Sequence, residues 1–100
     1  MQHYPDFLIK ALVIENDRPG HIARHDGITV DDVVEVLSGD IVIIDAKDGR
    51  FRVIGPAADD TMWTVVIGPR EAAGVYGLIT ARRASRPERR YYNEQMEGAT

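Results

Sequence analysis

The chain has 100 residues, of which 44% are hydrophobic, and it carries a formal net charge of −4 at pH 7. A chain of this length buries roughly two-thirds of its unfolded surface, which is enough for one domain with one core. It contains no cysteine, which excludes disulfides, thiolate nucleophiles and zinc-ribbon sites. No apolar run approaches the ~20 residues of a membrane-spanning helix, and the first six residues lack the basic start of a signal peptide. We therefore expect one cytoplasmic domain over residues 1–100, without membrane association.

The first third of the chain predicts a strand followed by two short helices. Phe7–Ile14 is apolar and partly β-branched, which favours a strand. Asp17 is suited to cap a short helix that ends at Gly27. The second helix starts with a capping-box pattern, Thr29 with Asp32 three residues later. Its apolar residues recur at i, i+3, i+4 and i+7 and so predict one buried stripe. The stripe consists of Val30, Val33, Val34 and Leu37.

The remainder predicts an antiparallel meander and a final helix. The pair Asp48-Gly49 is a strong two-residue hairpin signal because both turn positions tolerate positive φ. The connections between successive strands are too short for parallel crossovers. Ser85 and Glu88 form a second capping box, which opens a helix to about Met96. The fold class is therefore α+β: an N-terminal strand, two short helices, a meander of about four strands and a C-terminal helix. The four meander strands are predicted at Ile41–Ile44, Arg50–Ile54, Thr61–Ile67 and Val75–Ala81.

Alternation along the second meander strand separates its side chains by sheet face. Phe51 and Val53 are expected on one face, and Arg50, Arg52 and Ile54 on the other. Two arginines on one sheet face can form a phosphate groove, but they are equally typical of a solubilised outer face. Both interpretations stay open. A tryptophan in the next strand has apolar flanks and is expected in the core.

The segment from Thr80 to Tyr92 is strongly basic. From residue 81 to 92 it holds five arginines against one acid, Glu88, whereas the rest of the chain holds 7 basic and 15 acidic residues. Guanidinium groups bind phosphate with two parallel hydrogen bonds, and the start of a helix offers further N–H donors to an anion. The alternative is a solvated helix face with Arg–Glu pairs.

Two histidines, His21 and His25, lie four residues apart, which is a spacing that metal ligands use on a helix. No glutamate follows His21 and no cysteine is present, so we expect neither a metal nor another cofactor. Capping, packing or phosphate contact is the favoured role for these imidazoles. Arg24 would lie on a different side of the helix, nearer to solvent.

Several segments, in this order, resemble the BrnT-type toxins, which are small members of the RelE/ParE ribonuclease superfamily. The resemblance covers about residues 12–93, and its C-terminal motif is the most specific part. It implies N-terminal helices, an antiparallel sheet and a C-terminal helix, in agreement with the elements predicted above. The resembling segments are His21–Ile28, Thr29–Leu37, Arg50–Gly55, Ile79–Ala84 and Glu88-Arg89-Arg90-x-Tyr92.

The resemblance implies a type II toxin that cleaves RNA without a metal ion. In that superfamily the 2′-hydroxyl attacks the adjacent phosphate, and the enzyme supplies charge stabilisation and proton transfer. It also implies a ribbon-helix-helix antitoxin of the BrnA type as partner, contact with DNA only through that antitoxin, and a homodimer or a toxin–antitoxin heterotetramer. The implied catalytic residues have two roles. Arg52 with Arg82 or Arg83 would stabilise the transition-state phosphate, and His25, Glu88 or Tyr92 would transfer protons. The implied phosphate-binding residues are Arg24, Arg50, Arg86 and Arg89, of which Arg89 would otherwise pair with Glu88.

The chain departs from the family pattern at three places. Ile14-Glu15 stands where the family often has Trp-Asp, and Asp26 separates the histidine from Gly27. Asp59-Asp60 replaces a Gly-Arg pair, which removes one basic group and adds two acids. Two alternatives to a toxin follow: a catalytically inactive relative that only associates with its antitoxin or with nucleic acid, and an unrelated interaction domain.

Overall fold

The computed structural model describes residues 9–13 and 29–98. The predicted helix between Asp17 and Gly27 and most of the predicted strand Phe7–Ile14 lie outside these ranges. Within them, no helix is both long and apolar enough to cross a membrane. The elements are β1 (Ala11–Val13), α1 (Val30–Ser38), β2 (Val42–Asp45), β3 (Phe51–Pro56), β4 (Met62–Pro69), β5 (Val75–Arg83) and α2 (Arg86–Gly98).

Helix α1 begins at the predicted capping box. The hydroxyl of Thr29 accepts a hydrogen bond from the amide of Asp32 at 3.2 Å, and the amide of Thr29 donates to the Asp32 carboxylate at 3.0 Å. The predicted apolar stripe was wrong at one position, because Val34 is 52% exposed and Val36 is fully buried instead. The buried face of the helix centres on Val33 and Val36, and Val34 lies about 100° beyond Val33 on the side that faces solvent.

The sheet has five strands in the order β1-β5-β4-β3-β2. Strands β2 to β5 form the predicted antiparallel meander. Strand β1 pairs in parallel with β5, and Leu12 lies opposite Tyr76. This parallel pair was not predicted, because the argument from short connections concerns only strands that follow one another in the chain. The strand bounds differ from the predicted ones by one or two residues, and β5 runs to Arg83 instead of ending at Ala81.

The turn between β2 and β3 confirms the hairpin prediction. Asp48 and Gly49 both have positive φ, 61° and 74°. They form a short 3-10 turn with Lys47, and the amide of Ala46 donates to the carbonyl of Arg50 at 2.8 Å. The turn sets the register of β3 against β2, in which Val42 lies opposite Ile54. On its other side, Ile54 lies opposite Thr64 of β4.

The two faces of the sheet have different coverings. Val53, Val65 and Ala81 are cross-strand partners on one face, and we call this the core face. Helix α1 supplies Val33 and Val36 to it, and Trp63 is buried there as predicted. The opposite face carries Arg52, Thr64 and Arg82, and we call it the arginine face. The buried core cluster consists of Val33, Val36, Val53, Ala57, Trp63, Val65, Ile67, Leu78 and Ala81.

Substitution of Leu78 by alanine should lower the free energy of unfolding by about 2–5 kcal/mol. Its side chain is 2% exposed, so truncation loses apolar burial and leaves a cavity. Val34→Ala is the matched control, and its cost should stay within about 0.5 kcal/mol because the site is exposed. Urea unfolding followed by circular dichroism measures both. Equal costs for the two variants would contradict the assignment of the core.

Candidate active site

In the first turn of α2, the side chain of Glu88 lies back toward the sheet. The amide of Glu88 donates to the hydroxyl of Ser85 at 3.3 Å, and the amide of Ser85 donates to the Glu88 carboxylate at 2.8 Å. These reciprocal bonds are the predicted capping box. They hold the carboxylate beside the backbone at the point where β5 leads into α2.

The carboxylate of Glu88 is 4% exposed and lies among donors from three strands. Arg82 binds it with two parallel hydrogen bonds of 2.7 and 2.8 Å, and Arg52 donates to it at 3.0 Å. The hydroxyl of Thr64 donates at 2.9 Å. The register explains this convergence, because Thr64 pairs with Arg82 on one side and with Ile54 on the other. Arg52 is two residues from Ile54 and therefore lies on the same face.

The Arg82 guanidinium, together with the Ser85 amide and the Thr64 hydroxyl, holds the pKa of Glu88 well below its usual range, against the opposite effect of burial. Glu88 is therefore ionised at neutral pH. Its single negative charge lies against two guanidiniums, so the three side chains together carry a net charge of +1. This positive charge is concentrated on the arginine face of a chain that is acidic overall.

We call Arg52 and Arg82 the arginine pair. Hydrogen bonds to Glu88 fix their guanidiniums, and their side chains remain accessible to solvent. Their side chains are 35% and 41% exposed, while Glu88 beneath them is buried. A guanidinium has five N–H donors in one plane, and Glu88 accepts one from Arg52 and two from Arg82. The pair therefore presents positive charge outward from a fixed base.

Arg83 lies apart from the arginine pair, although it follows Arg82 directly. It is opposite Trp63 on the core face, and its guanidinium lies 5.7 Å from the centroid of the Trp63 ring. Hydrogen bonds from Thr61, with a smaller contribution from the charge of Arg83, lower the pKa of Asp59. One acid of the unusual Asp59-Asp60 pair therefore interacts with Arg83, on the side of the sheet away from Glu88.

Two other nominated residues on α2 make structural contacts. The hydroxyl of Tyr92 donates to the main-chain oxygen of Asp40 at 2.9 Å, and burial raises the pKa of the Tyr92 phenol. The guanidinium of Arg89 donates to the main-chain oxygen of Ala84 at 2.7 Å, so the anticipated pairing of Arg89 with Glu88 is not what the structure shows. Both contacts fix α2 against neighbouring chain segments.

The residues predicted to form the site therefore do not all lie together. The structure brings together Arg52, Arg82 and Glu88, and leaves Arg50 and Arg86 exposed at the starts of β3 and α2. His25 and Arg24 belong to the part of the chain that is not described. Thr64 is the member that sequence reasoning missed. Its signal was available, since it is a polar residue inside an apolar strand and alternation turns it away from the face of Trp63 and Val65.

Comparison with known proteins identifies the fold. No protein-family model and no curated protein sequence matches the chain. The structure is similar to the 1.1 Å crystal structure of the ribonuclease toxin BrnT from Brucella abortus, with a TM-score of 0.59 and 22% sequence identity. The similarity covers 76% of this chain and 97% of the BrnT chain. The chain has the BrnT fold. This confirms the predicted α+β class, with its antiparallel meander and C-terminal helix.

Glu88→Gln should lower the free energy of unfolding by about 1–3 kcal/mol, because it leaves two half-exposed guanidiniums without their buried counter-charge. It should also change the response to acid. A carboxylate whose pKa is lowered by folding contributes stability that is complete above its usual value of 4.5 and is lost as the pH falls through the folded-state pKa. Wild-type stability should therefore decrease below about pH 4.5 more steeply than that of the variant. Chemical unfolding, carried out at neutral pH and at pH values below about 4.5, measures both the loss of stability and the response to acid.

Glu94→Gln, at an exposed position of the same helix, is the matched control. It should leave both the stability at neutral pH and the acid response close to those of the wild type. A Glu88→Gln protein as stable as this control would show that the carboxylate is not the element that holds α2 on the sheet.

Proposed function

We propose that the chain is an endoribonuclease that cleaves RNA without a metal ion and acts as the toxin of a type II toxin–antitoxin system. The observation that carries the proposal is the arginine pair, two guanidiniums from separate strands that a buried carboxylate holds on one sheet face. The fold supports it, because a protein of the same fold is described as a ribonuclease toxin. Phosphate is the substrate group that such a pair fits best.

In the proposed reaction the 2′-hydroxyl of one nucleotide attacks its own 3′-phosphate. The bond from phosphorus to the 5′-oxygen of the next nucleotide breaks, and this oxygen leaves with a proton. The products are a 2′,3′-cyclic phosphate and a 5′-hydroxyl. Negative charge accumulates on the phosphate oxygens in the transition state, and Arg52 and Arg82 stabilise it from positions that need no rearrangement.

We propose different roles for the three residues that the resemblance implies for proton transfer. Glu88 is proposed as a positioning residue, because an ionised carboxylate with so low a pKa and so many donors is a poor proton acceptor near neutral pH. The Tyr92 hydroxyl is already bound to Asp40, so we assign it to fixing α2. This leaves His25 as the proposed proton carrier, since an imidazole titrates in the range where this chemistry operates.

The remaining arginines are proposed to bind the RNA around the cut. We choose Arg82 over Arg83 as catalytic, because Arg83 lies against Trp63 on the core face. Contacts to flanking phosphates are proposed for Arg24, Arg50, Arg86 and Arg89.

The proposed partner is a ribbon-helix-helix antitoxin that neutralises the toxin by covering the arginine pair. Contact with operator DNA would then pass through the antitoxin alone. The second candidate is a catalytically inactive module that keeps only this partner. The net charge of −4 and the acids Asp59 and Asp60 favour that alternative, because they weaken the attraction of RNA.

Arg82→Ala should reduce the rate of RNA cleavage by about 10²–10³, because it removes one stabilising donor from the transition state. Arg83→Ala should retain activity within a few-fold of the wild type, since its side chain lies on the other sheet face. Both are measured on a mixed RNA substrate in the presence of EDTA.

Arg82→Lys is a second variant for the case in which Arg82→Ala does not fold. It keeps a positive charge beside Glu88 but loses the two parallel hydrogen bonds. A folded Arg82→Lys protein should still be strongly impaired. Loss of activity in Arg83→Ala but not in Arg82→Ala would transfer the site to the other face of the sheet. A folded wild type without activity on free RNA would favour the inactive module.

His25→Ala should lower kcat by about 10²–10⁴ and remove the limb of the pH–rate profile that an imidazole contributes. Glu88→Gln should lower the rate without shifting that limb, since a positioning residue does not titrate in this range. The profiles are measured with EDTA present from about pH 5 to 9. An unchanged profile in His25→Ala would remove the histidine from the mechanism.

A further inference from the structure

Beyond the arginine pair, the arginine face carries two paired glycines. Gly68 of β4 lies opposite Gly77 of β5. Gly68 is on the same face as Arg52, because Arg52 pairs with Val66, two residues earlier, and the pairing of β3 with β4 is regular. Two paired glycines leave room for neighbouring side chains to lie against the backbone, and we call this area the glycine floor. Both glycines are buried, because side chains from other positions cover them.

Two further arginines lie on this floor. A Cβ atom added to Gly77 would collide with the guanidinium of Arg70, so this guanidinium lies directly over the glycine. A Cβ atom added to Gly68 would lie 3.6 Å from Cγ of Arg50. Both side chains therefore project from the face that carries Arg52 and Arg82. Arg70 had no nominated role, because in the sequence it merely follows Pro69 in a connection.

The four arginines occupy successive levels of one sheet face. Arg82 is level with Thr64 and Arg52 with Val66. The Arg50 side chain lies beside Gly68, and Arg70 follows Gly68 by two residues. Each level advances by about 7 Å along the strands. Positive groups repeated along a groove are what proteins use to follow the backbone of a single-stranded nucleic acid.

We propose that Arg50 and Arg70, over the floor formed by Gly68 and Gly77, are a subsite for the RNA strand that flanks the phosphate being cut. The proposal rests on the proposed ribonuclease function and adds Arg70 and the two glycines to it. RNA is the occupant that the charge favours, because four guanidiniums project from this face within four levels. The absence of side chains at Gly68 and Gly77 lets Arg50 and Arg70 lie against the sheet, on the same face as the arginine pair.

The test compares short and long RNA that cannot be cleaved. Fully 2′-O-methylated RNA lacks the attacking hydroxyl, so binding is measured without reaction, by NMR titration of a dinucleotide and an octanucleotide. Arg70→Ala should weaken octanucleotide binding about tenfold and reduce the salt slope of log K by about 0.7, the loss of one phosphate contact on a single strand. Dinucleotide binding should stay unchanged, because a dinucleotide reaches only the arginine pair.

Gly77→Ala tests the geometry without changing the charge. Its new methyl group displaces the Arg70 guanidinium from the floor, so the octanucleotide should bind more weakly than to the wild type, while the dinucleotide binds equally well. Arg90→Ala, which removes a charge from the exposed surface of α2, is the control and should leave the preference for the longer RNA intact.

The outcomes separate this subsite from the ribonuclease proposal. Wild-type octanucleotide affinity in Arg70→Ala, or an equal loss in Arg90→Ala, would overturn the subsite whether or not the protein cleaves RNA. Octanucleotide binding that depends on Arg70, in a protein that cleaves no RNA, would support the subsite and refute the nuclease. Displacement of the octanucleotide by an acidic peptide, with the same dependence on Arg70, would assign the floor to a protein partner and overturn its role as an RNA subsite.

Discussion

The burial of the Glu88 carboxylate is the constraint on which the rest of the structure depends, because the lost hydration of a buried charge must be replaced by opposite charges and hydrogen bonds. Removing an ion from water costs several kcal/mol even after relaxation, and Glu88 is almost completely buried. Its partners come from β3, β4, β5 and the residue before α2. The carboxylate therefore ties the C-terminal helix to three strands. The same bonds fix the two guanidiniums on which the proposed chemistry depends, so stability and activity share one set of contacts.

The sheet keeps this charged assembly apart from the apolar core. Side chains along a strand alternate between faces, so Val53 and Val65 pack under α1 while Arg52 and Thr64 meet Glu88. Two adjacent residues show this separation of the faces. Arg82 binds the buried carboxylate of Glu88, whereas Arg83 lies over Trp63 on the core face. Concentrating arginines on one face gives an acidic chain a locally positive surface, because the potential near a surface depends on nearby charges more than on the net charge.

Local patterns predicted the elements better than they predicted the site. The capping boxes at Thr29 and Ser85 and the hairpin at Asp48 are short-range signals, and all three are present. The capping box at Ser85 predicted the start of the helix that contains Glu88. The contacts of Glu88 with Thr64 and the arginines depend on strand register. The resemblance left Arg82 and Arg83 as alternatives, and only the extension of β5 to Arg83 separates them by sheet face. The parallel pairing of β1 with β5 joins distant segments, and no local pattern encodes it.

The central claim is that the arginine pair supports metal-independent transesterification of RNA, and the chemical ends of the products test it most directly. The purified protein is incubated with a defined RNA in excess EDTA, and the fragments are analysed by mass spectrometry. The account predicts fragments with a 2′,3′-cyclic phosphate on one side of the cut and a 5′-hydroxyl on the other. Fragments with 3′-hydroxyl and 5′-phosphate ends, or intact RNA after incubation with folded protein, would contradict it.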